Sequence, residues 1–298
     1  MKLTGRQVAR IVSVPATLLG VLLGLFAWTG LETSWREGEH QVLEGVPTAT
    51  GERQSLRVFT LNLAKAGFHA GGVEFRPIEE VEARLERVAV AIEGLEPDLV
   101  FLNEVVHECA VEPQAQARWL AERCGFAHVA TGDNYRFGID RFVIRSGNAI
   151  LSRFPLDAIE VQPLAGAAAF WNPTNTRRAL WAEATIGARR VRLASIRNDS
   201  FDLANNAAQA TQLVERLDDR PVLLAGDFNA EVSDPAFEVY RAAGLDAGAD
   251  ASATYPAGAP RRRIDFIASG PGWTRLDGRV VDTKASDHLG VFAVLALP

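Results

Sequence analysis

Cysteine is scarce: 298 residues contain two, Cys109 and Cys124. No Cys/His run has the spacing of a zinc site, so a structural zinc module is excluded. In an exported chain the pair predicts a bridge, and two buried thiols are the alternative. Internal repeats and low-complexity tracts are missing as well, which excludes solenoids and arrays. An excess of positive charge is also lacking. The formal charge is −6, and residues 1–30 hold Lys2, Arg6 and Arg10 but no acid, so the body is more acidic still. Such a body does not attract polyanions at long range, and strong non-specific nucleic-acid binding is not expected.

What is present is an ordinary globular balance, 48% hydrophobic and 23% charged, which argues against bulk disorder. One hydrophobic core can serve a chain of this length, and a monomer is expected. The N-terminus reads as an address. Three basic residues precede an apolar run over residues 11–28, interrupted only by Ser13, Pro15 and Thr17, and about 17–25 residues suffice to span a bilayer as a helix. Basic residues stay on the cytoplasmic side. The expectation is therefore a transmembrane helix with the body outside the cytoplasm. A cleaved signal segment is the alternative, although no clear Ala-x-Ala site follows. Residues 1–30 are thus an anchor or signal segment, residues 31–54 read as a polar linker, and residues 55–298 form the main domain.

Within that domain the pattern predicts strands at 55–62, 99–102, 147–152, 177–186, 191–196, 222–225, 263–268 and 291–297. Pro77 opens a helix carrying Val81, Leu85, Val88, Ile92 and Leu95 at spacings of three and four. Further helices are expected over 113–123 and 203–217. Strands and helices mix without strict βαβ alternation, which predicts an α+β layered sandwich with helices outside.

Several strands end in polar residues, and a sheet can aim such side chains at one point. Asn62 follows Phe59-Thr60-Leu61. Glu104 follows the 99–102 strand, and Asp227 and Asn229 follow the 222–225 strand. Asp265 lies inside Arg263-Ile264-Asp265-Phe266, while Asp287 and His288 precede the last strand. Brought together, these groups make an oxygen-rich site suited to Mg²⁺ or Mn²⁺, with His288 as a general base on water, oriented by a carboxylate. Taken singly, an Asp after a strand is more often a turn or helix cap than a ligand.

The order Asn62, Asn103-Glu104, Gly147-Asn148-Ala149-Ile150-Leu151-Ser152-Arg153, Gly226-Asp227-Phe228-Asn229, Arg263-Ile264-Asp265-Phe266 and Ser286-Asp287-His288 resembles the endonuclease/exonuclease/phosphatase (DNase I-like) superfamily over roughly residues 55–297. The resemblance implies a four-layer α/β/β/α sandwich of two mixed sheets and metal-dependent hydrolysis of phosphoester bonds. It implies Glu104 as principal metal ligand, with Asn62 beside it and Asp287 in support. Asp227 and Asn229 would position the attacking water, and His288 would be base or phosphate contact, paired with Asp265. Arg177 or Arg178 stands where members often place an Arg before a strand. Asn148 of the Gly147 motif is a further substrate-binding candidate.

Two positions depart from the pattern. Members often carry a Thr-His-Leu-like segment whose His contacts the scissile phosphate. Here the chain reads Ser195-Ile196-Arg197-Asn198, so Arg197 or Asn198 would take over the phosphate grip. Ala64 stands where some members carry an acid. Arg261-Arg262-Arg263, Tyr135-Arg136-Phe137-Gly138 and Trp171-Asn172-Pro173 are candidates for the rim of a substrate cleft. A phosphodiesterase or phosphatase is the leading expectation, ahead of an exported nuclease of the same fold and a catalytically silent binding module.

Overall fold

A computed structural model describes residues 14–25, 28, 35–70, 74–109, 115–139, 142–166 and 177–298. Side chains of residues 69, 70, 74, 137–139 and 142 are not part of that description. The strands are β1 (Glu39–Val42), β2 (Ser55–Asn62), β3 (His69–Ala70), β4 (Glu74–Phe75), β5 (Leu99–Cys109), β6 (His128–Ile139), β7 (Phe142–Ser152), β8 (Leu156–Pro163), β9 (Arg178–Ile186), β10 (Arg189–Arg197), β11 (Val222–Asp227), β12 (Asp265–Ser269), β13 (Thr274–Val281) and β14 (Gly290–Ala296). The α-helices are α1 (Ile78–Leu95), α2 (Gln116–Cys124), α3 (Leu203–Val214) and α4 (Pro235–Ala242).

Two sheets carry the architecture. One has seven strands in the order β1-β6-β7-β5-β2-β14-β13, the other five in the order β12-β11-β10-β9-β8. Both are mixed, with a parallel pair inside each: β2 with β5, and β10 with β11. Alternation along the strands divides the apolar side chains into three cores. Leu56, Val58, Leu99 and Phe101 meet Leu193, Leu223 and Ala225 between the sheets. Leu61, Val100 and Leu102 face α1 and α2 on one outer side. Ala194, Ile196 and Leu224 face α3 and α4 on the other. The layers therefore run helices, sheet, sheet, helices.

Local sequence explains the helices. In α1, Val81, Leu85, Val88, Ile92 and Leu95 are all buried, Glu79 and Glu80 stand in the first turn, and left-handed Glu96 ends the helix. Acids in the first turn suit the helix dipole. Asp202 caps α3 by accepting from the amides of Ala204 and Asn205, a contact whose loss typically costs about 1 kcal/mol. The buried face of α3 is Asn206, Gln209, Ala210 and Leu213. Leu203 is 51% exposed, because the helix is rotated so that two amides point inward.

Three expectations are corrected. Residues 31–54 are not simply a linker: Glu39–Val42 adds an edge strand antiparallel to β6, and Leu43 is buried. The expected strand at 99–102 runs on to Cys109, because a register irregularity after Leu102 lets β5 continue along β7. Cys109 and Cys124 are both free. Cys124 lies at the end of α2 with its Sγ turned toward the Ala89 carbonyl oxygen, so it faces α1 rather than β5. The expected span over 11–28 lies partly outside the described residues. Residues 14–25 are helical, and among the described residues no helix is long and apolar enough to cross a membrane.

Candidate active site

The site forms where the carboxyl ends of the two parallel pairs face each other. Register sets its first row. On β2 and β5, Asn62 pairs with Asn103. On the opposite sheet Arg197 pairs with Asp227, and Asp227 with Asp265, so three charged side chains stand side by side on β10, β11 and β12. Glu104 follows Asn103 at the β5 irregularity with φ of 51°, a left-handed conformation that is costly outside glycine and gathers at functional sites. Asn229 shares it, with φ of 50°.

A buried amide holds these ends in place. Asn103 accepts from the Asp227 backbone amide at 2.9 Å and donates to Asn148 Oδ1 at 2.9 Å. Gly226, just before Asp227, has φ of +142°, and a Cβ there would come 2.1 Å from the Ile196 carbonyl oxygen. Only glycine lets β11 lie this close to β10.

At the closed end, His288 Nδ1 lies 3.1 and 3.0 Å from the two carboxylate oxygens of Asp265. Asn62 Nδ2 donates to Asp227 Oδ2 at 3.0 Å and to Glu104 Oε1 at 3.2 Å, and faces His288 Nε2 at 3.5 Å. Asn229 donates to Asp227 through its backbone amide and its side chain. Burial disfavours the charged His288 ring, but the Asp265 charge and hydrogen bond, with Asp227 and Asp287, outweigh it and raise its pKa to about 9. Asn62 Nδ2, itself a donor, pulls the other way on Nε2. Burial pushes the Asp227 carboxyl up, as does the like charge of Asp265.

The open end is cationic. Lys65 Nζ lies 2.5 Å from Glu104 Oε2, and Arg197 Nη2 lies 2.6 Å from Glu104 Oε1. Burial raises the Glu104 carboxyl, yet Arg197 and Lys65 overcome it and hold the group well below the usual carboxylate range. Lys65, Glu104, Tyr135, Arg177, Arg197 and Phe201 line a cleft of about 140 Å³. Arg177 is 4% exposed. Its Nη2 donates to Ser200 Oγ, while its Nε and Nη1 have no hydrogen-bond acceptor among the described residues. Burial and the nearby Arg197 charge depress its pKa to about 10.

Most of the sequence-derived candidates converge: Asn62, Glu104, Arg177, Arg197, Asp227, Asn229, Asp265 and His288. Three do not face the cleft. Asn148 is fully buried and donates to the Arg178 and Ser195 carbonyls, clamping the sheets together. Asn198 is fully buried with its amide on Tyr240 Oη, because the strand alternation that turns Arg197 into the site turns Asn198 toward α4. Asp287 is exposed and takes a 3.4 Å contact from Ser286 Oγ. Of the rim candidates, Tyr135 lines the cleft, Arg263 pairs with Asp250, and Trp171-Asn172-Pro173 lies outside the described residues. Lys65 and Asn103 were missed as site residues. The position of Lys65 three residues after Asn62 was the available signal. In the sequence, Asn103 reads only as the neighbour of Glu104 in its motif, with no role of its own.

A divalent ion can be weighed against these donors. Asp227, Asp265 and His288 are the one grouping among the described residues with ligand atoms close enough, all within 4.8 Å. The set expected around Glu104 does not fit. Both Glu104 oxygens already meet cations, and Asn62 turns its amide nitrogen, not its oxygen, toward the centre, since its Oδ1 accepts from the Ala64 amide.

Comparison with known proteins agrees with this geometry. The sequence profile of the Endonuclease/Exonuclease/phosphatase family matches residues 59–288. The chain belongs to that family. Among solved structures, an endonuclease/exonuclease/phosphatase from Beutenbergia cavernae is 26% identical, with TM-score 0.65, covering 82% of this chain and 72% of that one. The family protein from Bacteroides vulgatus is 18% identical, with TM-score 0.61 over 83% and 100%. The human Nocturnin catalytic domain with bound sulfate anion is 15% identical, with TM-score 0.57 over 88% and 97%. The last two show the shared fold. No curated protein matches the chain.

Proposed function

We propose that this family member hydrolyses phosphoester bonds, with His288 taking the proton of the attacking water. The observation that carries the reading is the buried His288–Asp265 pair, with both Asp265 oxygens on Nδ1, set behind a cleft lined by Lys65, Arg177 and Arg197. Asp265 fixes the ring so that Nε2 faces the site and stabilises the imidazolium that forms. Asp227, buttressed by Asn62 and Asn229, presents a carboxylate for orienting the water. The three cations hold the phosphoryl oxygens and neutralise charge as it develops. A general base of this kind contributes roughly 10²–10⁴-fold to a rate.

Hydrolysis of a chromogenic phosphodiester by the full chain, with and without added Mg²⁺ or Mn²⁺, is the test. His288→Ala should abolish most of the rate, and an unchanged rate would sink the assignment. Plasmid DNA as a parallel substrate separates a nuclease from a diesterase acting on smaller molecules. We also propose that residues 1–30 anchor the chain with its catalytic domain outside the cytoplasm, on the strength of Lys2, Arg6 and Arg10 before the apolar run. Extraction from membranes by salt alone, without detergent, would contradict the anchor.

A further inference from the structure

We propose that Lys65 and Arg197 take the place of a divalent ion at Glu104, so that the cleft binds a phosphate-class oxyanion directly through the protein's own cations. This rests on the phosphoester reading and adds that the grip works without a divalent ion at Glu104.

Three observations support it. First, each Glu104 oxygen is matched to its own cation, Lys65 Nζ at 2.5 Å and Arg197 Nη2 at 2.6 Å. A divalent ion brought to the same carboxylate meets two positive charges at close range and must displace them.

Second, Lys65 is placed by a built device. Ala64, Lys65 and Ala66 have φ of 46°, 57° and 52°, three left-handed residues in a row. The turn is held at both sides, by the Ala64 amide on Asn62 Oδ1 at 3.0 Å and by Gln116 Nε2 donating to the Lys65 carbonyl at 2.8 Å. Gln116 is fully buried. Such strain persists only where the surroundings impose it, and what it does here is set the Lys65 ammonium on Glu104.

Third, the cations are not used up by Glu104. Arg197 Nε makes no hydrogen bond among the described residues and lies 3.8 Å from Asp227 Oδ2. Arg177, 4% exposed, has Nε and Nη1 without an acceptor among the described residues. Buried guanidinium nitrogens without acceptors are costly, and a phosphate anion supplies oxygens that accept charge-assisted hydrogen bonds from them. Among the side chains that line the cleft, Lys65, Arg177 and Arg197 face the single carboxylate of Glu104, with Asp227 behind Arg197, and the surplus of positive charge is one that an anion balances. Glu104 then acts as the strut between Lys65 and Arg197, not as a metal ligand.

Calorimetry on the full chain tests this without relying on turnover. Inorganic phosphate is titrated in the presence of EDTA, and Mg²⁺ and Mn²⁺ are titrated alone into chelator-stripped protein. Phosphate should bind saturably in EDTA, and any Mg²⁺ or Mn²⁺ binding below the millimolar range, for which Asp227, Asp265 and His288 offer ligand atoms, should be unchanged in Glu104→Gln. Lys65→Met and Arg197→Met should each weaken phosphate binding about tenfold, roughly one charge-assisted contact. The double variant, with Glu104 uncovered, should gain saturable Mn²⁺ binding. Micromolar metal binding that Glu104→Gln removes, or phosphate binding only in the presence of metal, overturns the proposal. If the chain hydrolyses phosphodiesters but only with metal bound through Glu104, the cation pair is refuted and the hydrolase reading stands. If no phosphoester is cleaved while phosphate still binds in EDTA, the hydrolase reading fails and the cation site stands.

Discussion

The two ends of the site are built on opposite principles. At the closed end every carboxylate oxygen has a donor: Asp265 holds His288, and Asp227 accepts from Asn62 and Asn229. At the open end, guanidinium nitrogens of Arg177 and Arg197 lack acceptors among the described residues. A fully satisfied polar network is rigid. An unsatisfied one stores cost that a ligand can relieve. The contrast separates the part of the site that must not move from the part that receives substrate.

The sharpest way to break the comparison is to disable the closed end. His288→Ala should lower kcat/KM by roughly 10²–10⁴-fold, and Asp265→Asn should also lower it strongly, since the ring loses its orienting carboxylate. Steady-state kinetics on a phosphodiester would show both.

The next largest effect is on stability. Asn103→Ala removes the amide that joins Asp227, Asn148 and Ser195 and should cost on the order of 2–4 kcal/mol, because several buried partners lose their mate. Denaturant unfolding measures it. A variant as stable as the parent would mean that the two sheet ends are held together by other contacts.

The pH dependence is a gentler probe. The folded His288 pKa is raised from an ordinary 6.5 to about 9. Its contribution to stability is therefore complete below 6.5 and fades as pH rises through 9. Melting temperature should fall over that window in the wild type and less in His288→Gln. Activity should move oppositely, since a base must be unprotonated: kcat/KM should climb with pH, reach half its plateau near 9 and level off above it.

At the open end, Arg177→Met should raise KM about tenfold, the loss of one phosphate contact, and lower kcat as well, since charge developing on the phosphoryl oxygens loses a cation. The same change should leave the fold as stable as before or slightly more so, since it removes a buried cation with unpartnered nitrogens. Loss of stability in place of weaker binding would show that Arg177 braces the loop at Ser200 rather than gripping substrate.

Much of this was legible beforehand, and the failures have physical causes. The α1 face and the apolar strands were readable because burial imposes periods that sequence displays. Edge strands β1, β8 and β13, and β6 beside β1, were not, since they mix polar residues with short apolar stretches. The amides of α3 were hidden for a related reason. Asn206 and Gln209 look like solvent-facing residues, yet they hold the chain after Arg197 by bonding Asp199 and Ala165. Asn148 and Asn198 have the chemistry of ligands but bind backbone and Tyr240 instead, because which side of a strand faces the cleft depends on register.

By itself the sequence determined the kind of site: acids, amides and a histidine at strand ends, in an order that only one sort of fold would bring together. Tertiary structure decided which charges meet. Lys65 and Glu104 lie 39 residues apart and Arg197 is far from both. Their contact depends on a left-handed turn, a strand irregularity and the facing of two sheets, none of which is encoded by local pattern. Electrostatic pairing falls off with distance in space, not in sequence, and so the sign of the cleft became visible only once the chain was folded.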